Sequence, residues 1–375
     1  MARLSRWQAL AVLSAVACIS GCAPAAAPST VPPPTAPAAP AAVAPTQPAP
    51  APAVAKPAAR ATVRFGGLGG TIDRPLYVAQ QKGMFDEQGL DLEVEEFRTA
   101  ADMVPPLATG RLDGGHGSTS PGFFNAILQG VGVKIVSDVT ILREPGPNVR
   151  NSLQLVVRRE LADQVRGMAD LKGRIIGINQ RGTVNHGQLE KMLGDVGLTL
   201  ADVQIETIPF PDQMSALANG AIDAAVMIDP FLTIALDRGL VTVVMDMGQA
   251  TPGWPVQVLF YGPEFLKDQS DVGKRFMVAY VKALRYIEAA YRQGTNRDEV
   301  FQILIDNTPL KDMALWQRMA SSYSETNGAV NTRALEIDQD FYVRQGLQRE
   351  RVDVRTIVDP SFAQNAVQVL GRYAD

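Results

Sequence analysis

The phrase "LATGRLDGGHGSTSP" (Leu107 to Pro121) is written a second time, further along, as "LANGAIDAAVMIDP" (Leu217 to Pro230). Each copy opens Leu-Ala-x-Gly-x, continues with an aliphatic residue and an aspartate (Leu112-Asp113, Ile222-Asp223), and ends on a proline. Glycine after an apolar turn is a helix stop, and a short run bounded by turn residues is a strand signal. Each copy therefore reads as a helix, a Gly stop, a short strand opened by Asp, and a loop carrying Pro. A chain that spells this twice is constrained to build two similar α/β lobes.

The order of elements around the two phrases repeats as well. In the first unit "TVRFGGLGG" is a strand running into glycines. "DRPLYVAQQKG" is a helix with Asp73 as its cap, Pro75 in its first turn and Gly83 at its end. "LDLEVEEF" alternates apolar and acidic residues, a half-buried strand, and "VKIVSDV" is another. Pro105 and Pro106 confine any helix between them to a short piece. In the second unit "LQLVVRR" and "RIIGI" are strands. "TVNHGQLEKMLGDVG" is a helix capped by Thr183 and stopped by Gly197. "VQIETIPF" is a strand, and "PDQMSALANG" a helix ending at Gly220. "VQVLFYG" returns the chain to the first unit. "DVGKRFMVAYVKALRYIEAAYRQG" is a long amphipathic helix with Phe276, Tyr280, Leu284, Ile287 and Tyr291 on one stripe. Shorter helices are expected near 297–305, 311–323 and 359–373. Strands alternating with helices imply an α/β fold whose sheets are mostly parallel.

The N-terminus reads as an address rather than as fold. Arg3 and Arg6 precede an apolar run, Ala9 to Ile19, of signal-peptide length, and "ISGC" ends on Cys22. An aliphatic residue and two small residues before a cysteine make a lipobox. Residues 1–21 are then a lipoprotein signal peptide, and Cys22 carries the lipid. Residues 22–60 are rich in Ala and Pro, too poor in apolar surface to fold, and stiffened by proline into an extended tether. The chain's two cysteines are Cys18 and Cys22, which leaves no disulfide framework, thiolate metal site or cysteine nucleophile in the folded part. With a formal net charge of −4 and no basic run, nucleic acid is excluded as a partner. His116 and His186 alone make no zinc site, so no metal and no cofactor is expected.

"PLYVAQQKGMFDEQGLDLEVEEF", "LATGRLDGG", "DLKGRIIGINQRGTVNH", "GLTLADVQIETIP" and "ALANGAIDAAVMIDPF", taken in order, resemble the periplasmic solute-binding proteins of ABC importers. The closest branch binds aliphatic sulfonates, taurine, nitrate or thiamine-precursor pyrimidines. The resemblance covers about 60 to 375. It departs at the Pro105–Pro106 pair and at the glycine-rich first loop. It implies a two-lobed periplasmic-binding-protein fold of type II, with lobe 1 from 61–152 and 256–375 and lobe 2 from 153–255. Two crossovers, near Asn148–Leu153 and Pro252–Val256, would hinge the lobes over a ligand. It further implies a non-enzymatic monomer, held at the periplasmic or outer face of the cytoplasmic membrane by its lipid. Such a protein delivers a small polar, anionic or heteroaromatic solute to permease and ATPase subunits. A sensor docking on a membrane receptor is the alternative. The related thiamine-pyrimidine enzymes rely on cysteines and a His, and this chain has no cysteine past Cys22 and no spaced His pair.

In open α/β sheets ligands sit beyond the carboxyl ends of strands, and four loops qualify. The first holds Gly70 and Thr71, where glycines permit close approach. The second holds Ser118, Thr119 and Ser120, whose hydroxyls suit an anion or a polar head and equally suit capping of a following helix. The third, Arg181, Thr183 and Asn185, adds a cation to a helix start, with His186 read as a packed, hydrogen-bonded residue. The fourth pairs Asp229, an acceptor for an amine or ring N–H, with Trp254, a stacking surface.

Overall fold

The computed structural model describes residues 60–146, 149–320 and 322–374. The signal peptide, Cys22 and nearly all of the proline-rich tether lie outside the described residues. Among those described, no helix is long and apolar enough to cross a membrane.

The strands are β1 (Ala61–Gly67), β2 (Leu90–Glu96), β3 (Gly114–Gly117), β4 (Lys134–Ile141), β5 (Leu153–Arg158), β6 (Ile175–Ile178), β7 (Gln204–Thr207), β8 (Ala224–Ile228), β9 (Val241–Asp246), β10 (Pro255–Tyr261) and β11 (Tyr323–Ser324). They form two sheets, ordered β11-β4-β10-β3-β1-β2 and β7-β6-β8-β5-β9. Without β11 the two orders are the same pattern. β1 runs parallel to β2 and β3, as β6 does to β7 and β8. Each sheet then takes one reversed strand from across the molecule, β10 beside β3 and β5 beside β8.

The repeated phrase is the seam of this pattern. Its helices are Val104–Ala108 and Phe210–Ala218. Each ends at a left-handed glycine, Gly110 (φ 69°) and Gly220 (φ 74°), a conformation that a side chain would strain. The aspartate after each glycine then locks the next strand to its parallel neighbour. Asp113 N donates to Arg64 O (2.8 Å), while its carboxylate accepts from Arg64 N (2.7 Å) and pairs with the Arg64 guanidinium (2.6 Å). Asp223 N donates to Ile175 O (2.8 Å), its carboxylate accepts from Ile175 N (3.2 Å), and Arg158 is its ion partner at 3.3 Å. The same short sequence makes the same β1–β3 and β6–β8 joint in both lobes.

Both faces of each sheet are covered, so strand residues alternate between two cores. In β5, Leu155 and Val157 join one cluster with Ile176, Leu189 and Met192. Val156 joins another with Met227 and Leu232. On the first sheet the long helix Ser270–Gln293 lays its predicted stripe over Phe65, with Phe65 and Phe276 stacked at 5.0 Å and Phe85 continuing the stack at 5.2 Å. Truncating a ring buried like Phe276 costs roughly 3–5 kcal/mol.

Among the elements not legible in the sequence are β9, the helix Phe231–Asp237 and the helix Thr332–Arg344. The last of these also crosses the expected lobe boundary. Its Leu335, Phe341 and Tyr342 pack in a first-sheet core, and its Ala334 and Ile337 pack in a second-sheet core. Arg344 reaches Glu190 at 2.6 Å. The crossovers run from β4 to β5 and from β9 to β10, and they are tied to each other. Leu142 N donates to Trp254 O (2.9 Å) and Gly253 N to Leu142 O (2.7 Å). Asn151 links both by donating to Asp246 Oδ1 (2.6 Å) and to Arg143 O (2.7 Å).

Candidate functional site

A cleft of about 580 Å3 opens between the two sheets and is lined from both. The first sheet contributes Leu68, Thr71 and Ile72 after β1, Arg98 and Thr99 after β2, and Ser118 to Gly122 after β3. The second contributes Asn179 to Asn185 after β6, Phe210 after β7, and Ile228 at the end of β8. Thr140, Ser152, Val256 and Gln257, near the ends of the crossover strands, also line it, with Arg74, Ser322 and Leu347.

The loop after β1 is shaped by a buried polar chain. Asp73 does not cap the helix Arg74–Gln81 with its side chain. Its carboxylate turns back to accept from Leu68 N (3.0 Å) and Gly69 N (2.9 Å) and pairs with His116 Nε2 (2.7 Å). The other ring nitrogen, Nδ1, bonds the Tyr280 hydroxyl at 2.6 Å. Burial works to raise the Asp73 pKa, but His116 and the two backbone donors outweigh it and hold the carboxyl below its ordinary value. The chain ties the β1 loop to β3, and the residues after His116 are Gly117 to Pro121. Two walls of the cleft are thus set by one internal network. Thr71 lines the cleft, whereas Gly70 is not among its lining residues.

Ser118, Thr119 and Ser120 all line the cleft, and two of them also have structural work. Ser118 Oγ donates to Val256 O (2.7 Å). Ser120 Oγ accepts from Phe123 N (3.2 Å) and caps the helix Pro121–Ile127. Across the cleft Arg181, Thr183 and Asn185 line the start of the helix Val184–Asp195. Thr183 does not cap that helix, because its hydroxyl folds back to donate to Gln180 O (3.0 Å). Arg181 donates to Ile205 O (2.7 Å). His186 accepts from Gly182 N (3.1 Å) and meets Phe341 edge-on at 5.0 Å. Burial, with Arg181 adding, lowers its pKa. This is the packed role expected for it.

The fourth expected group needs correction. Asp229 and Trp254 are not among the residues lining the cleft. The Asp229 carboxylate, in a residue only 8% exposed, is already engaged by Thr233 N (3.0 Å), Thr233 Oγ1 (2.6 Å) and Ala320 N (2.7 Å). It fastens the end of β8 to the segment leading into β11. Trp254 is buried in the return crossover with its indole N–H on Asp338 at 3.3 Å. Both residues hold the hinge region together.

Sequence reasoning missed Arg74, Arg98, Thr140 and Gln257, all of which line the cleft. One signal for Arg74 was present. A cation at the first residue of a helix sits at the positive end of the helix dipole, which disfavours it. Among the described residues, the lining contains three arginines, Arg74, Arg98 and Arg181, and no aspartate or glutamate, although the whole chain is net acidic. Asn179 adds an amide oxygen that is buried without a partner among the described residues.

Comparison with known proteins fits this architecture. Residues 56–305 match the model of the NMT1-like family. A binding protein of Brucella abortus is 32% identical over 148 residues, which is 40% of this chain and 41% of that protein. The alignment thus spans about two fifths of that relative. A Bacillus subtilis protein named for binding aliphatic sulfonates is 23% identical over 304 residues, 78% of this chain and 85% of its own. Among solved structures, the periplasmic aliphatic sulphonate binding protein of Escherichia coli superposes with a TM-score of 0.63 at 19% identity, covering 81% of this chain and 99% of that one. At that identity the likeness shows a shared fold, the periplasmic-binding-protein architecture.

Proposed function

The chain belongs to the NMT1-like family, and from that premise we propose that it is the solute-binding subunit of an ABC importer. It captures a small polar or anionic solute between two lobes and passes it to permease and ATPase subunits. In this reading lobe 1 comprises 61–152 and 256–375, with the helix Thr332–Arg344 spanning to lobe 2, 153–255. The observation that carries the reading is a cleft lined from both sheets by hydroxyls and three arginines, with no carboxylate in the wall among the described residues. Such a lining suits a ligand that accepts hydrogen bonds and bears negative charge. The relatives named for sulfonate binding support the same chemistry.

The ligand-contacting set is Thr71, Ser118, Thr119, Ser120, Arg181, Thr183 and Asn185 from the sequence, joined by Arg74, Arg98 and Gln257. Closure of the lobes requires that the ligand touch both, because a solute held equally by the open and shut forms shifts nothing. The lipid on Cys22 keeps the protein on the outer face of the cytoplasmic membrane, with 22–60 as its tether.

Two experiments test this. A thermal-shift screen of sulfonates, nitrate, pyrimidines and aromatic acids against the full chain should give a saturable rise in Tm for one class, without turnover of the solute. No shift with any of them removes the binding reading. Metabolic labelling with palmitate should mark the protein and disappear in Cys22→Ser, and label persisting in that variant removes the anchor.

A further inference from the structure

Arg74 is electrostatically out of place. It is 6% exposed and sits at the first position of the helix Arg74–Gln81, where the helix end is already positive. Three other arginines that reach into the fold have acid partners, while a fourth, Arg285, which is less buried than Arg74, is met by carbonyl and amide oxygens. Arg64 has Asp113 at 2.6 Å, Arg143 has Glu288 at 3.3 Å, and Arg158 has Asp223 at 3.3 Å. Arg74 has no ion pair among the described residues. Its Nη2 donates to Thr140 Oγ1 (3.0 Å) and Ser322 O (2.8 Å), both uncharged. Its Nε is buried without a partner.

The neighbouring acids are committed elsewhere. Asp73, adjacent in sequence, is turned toward His116 and the β1 loop. Glu288 acts on Arg74 through its charge but makes no ion pair with it, accepting from Ser324 N (2.8 Å) and lying 3.3 Å from Arg143. A buried cation without a direct ion partner is costly to keep, and proteins keep one where something else comes to pair with it. Arg74 lines the cleft, so the missing partner can come from solution.

Resting on the binding reading above, we propose that Arg74 is the seat of the ligand's acid group, and that the cleft takes small organic oxyanions, sulfonates or carboxylates, in preference to neutral ring compounds. A guanidinium presents a planar fork that matches two oxygens of such a group. Around it Thr140, Ser152, Gln257 and Ser322 line the same part of the cleft. Thr140 Oγ1 donates to Gln257 Oε1 (2.9 Å), and Ser322 Oγ donates to Ser152 Oγ (2.9 Å). These residues border both crossovers. An acid group drawn in against them lies where the lobes hinge, so its charge acts on the closing motion. Arg98 is exposed, and Arg181 is exposed with a backbone carbonyl as partner. These two steer the anion, and Arg74 holds it.

The test is calorimetric titration of the full chain with methanesulfonate, ethanesulfonate, propanoate and the neutral methanesulfonamide. The wild type should bind at least one of the acids and bind the sulfonamide roughly 30-fold more weakly or worse, the loss expected when a buried pair is left with one partner. Arg74→Gln should lose a similar factor for the acid, Arg74→Lys should fall between, and Arg333→Gln, an exposed arginine outside the cleft lining, should change affinity by less than about threefold. Equal affinity for the acid in Arg74→Gln and wild type overturns the proposal while leaving the binding reading intact. So does a wild type that binds the sulfonamide as well as the acid, a comparison that needs no variant to fold. A wild type that binds none of these probes but does bind neutral pyrimidines overturns it as well.

Discussion

Asp338 offers a test of how the hinge region is held. It lies on the helix Thr332–Arg344, is 1% exposed, and is bonded to the indole N–H of Trp254 at 3.3 Å. Burial pushes its carboxyl up to about 8, against an ordinary value of 3.8 in the unfolded chain. Between those values the folded protein holds a proton that the unfolded chain releases. The stability this group allows is therefore fully present below about pH 4 and is lost as pH rises through 8. Each pH unit inside the window removes about 1.4 kcal/mol. From pH 5.5 to 7.5 the loss is about 3 kcal/mol. Asp338→Asn keeps the shape and the acceptor for Trp254 but does not titrate. Urea unfolding of both proteins, followed by tryptophan fluorescence at several pH values, reads the difference. The variant should gain on the wild type by about 3 kcal/mol over that interval and then stop gaining above pH 8. A difference that does not change with pH refutes a buried, protonated Asp338.

Asp138 is buried under the same cause, with Glu325 adding to it, and its carboxyl is likewise raised to about 8. Asp138→Asn should show the same sign and window in the same assay. Asp229→Ala strands Thr233 N, Thr233 Oγ1 and Ala320 N and should lower stability by roughly 3 kcal/mol in urea unfolding. A variant that stays stable but no longer binds solute would return Asp229 to the ligand site. Gly248→Ala would set a Cβ 2.0 Å from Arg143 O and 2.4 Å from Asn151 Nδ2, so the crossover must shift, at about 1–3 kcal/mol; an unchanged urea midpoint would contradict that. Ser120→Ala removes the cap on Phe123 N and should cost about 1 kcal/mol by the same measurement.

What the sequence made legible was local. Gly83, Gly197 and Gly220 each follow the end of a helix with positive φ, as glycine at a helix end should. The paired phrases located two equivalent joints because Asp113 and Asp223 bond their own neighbourhood. The strand pattern announced the α/β build of both sheets. Sequence reasoning failed where a side chain had a distant alternative. Asp73 and Thr183 sit at helix starts and were read as caps, but Asp73 is drawn to His116 on β3 and Thr183 to Gln180 O. Asp229 and Trp254 look like ligand groups in isolation. Their partners, Ala320 and Asp338, lie far along the chain. The helix Thr332–Arg344 divides its apolar residues between two cores, so no single stripe announces it. Arg74 belongs to the cleft only because strands β4 and β10 and the segment before β11 converge there.

In the binding reading a solute is held between the sheets by both at once. Hydrogen exchange of the full chain, with and without a saturating acid found by titration, tests this most directly. It should slow amides in both 118–122 and 180–185, with little change at a separate outer groove lined by Gly187, Glu190, Leu198, Phe341 and Arg344. Slowing confined to one of the two loops, or centred on that outer groove, would contradict it.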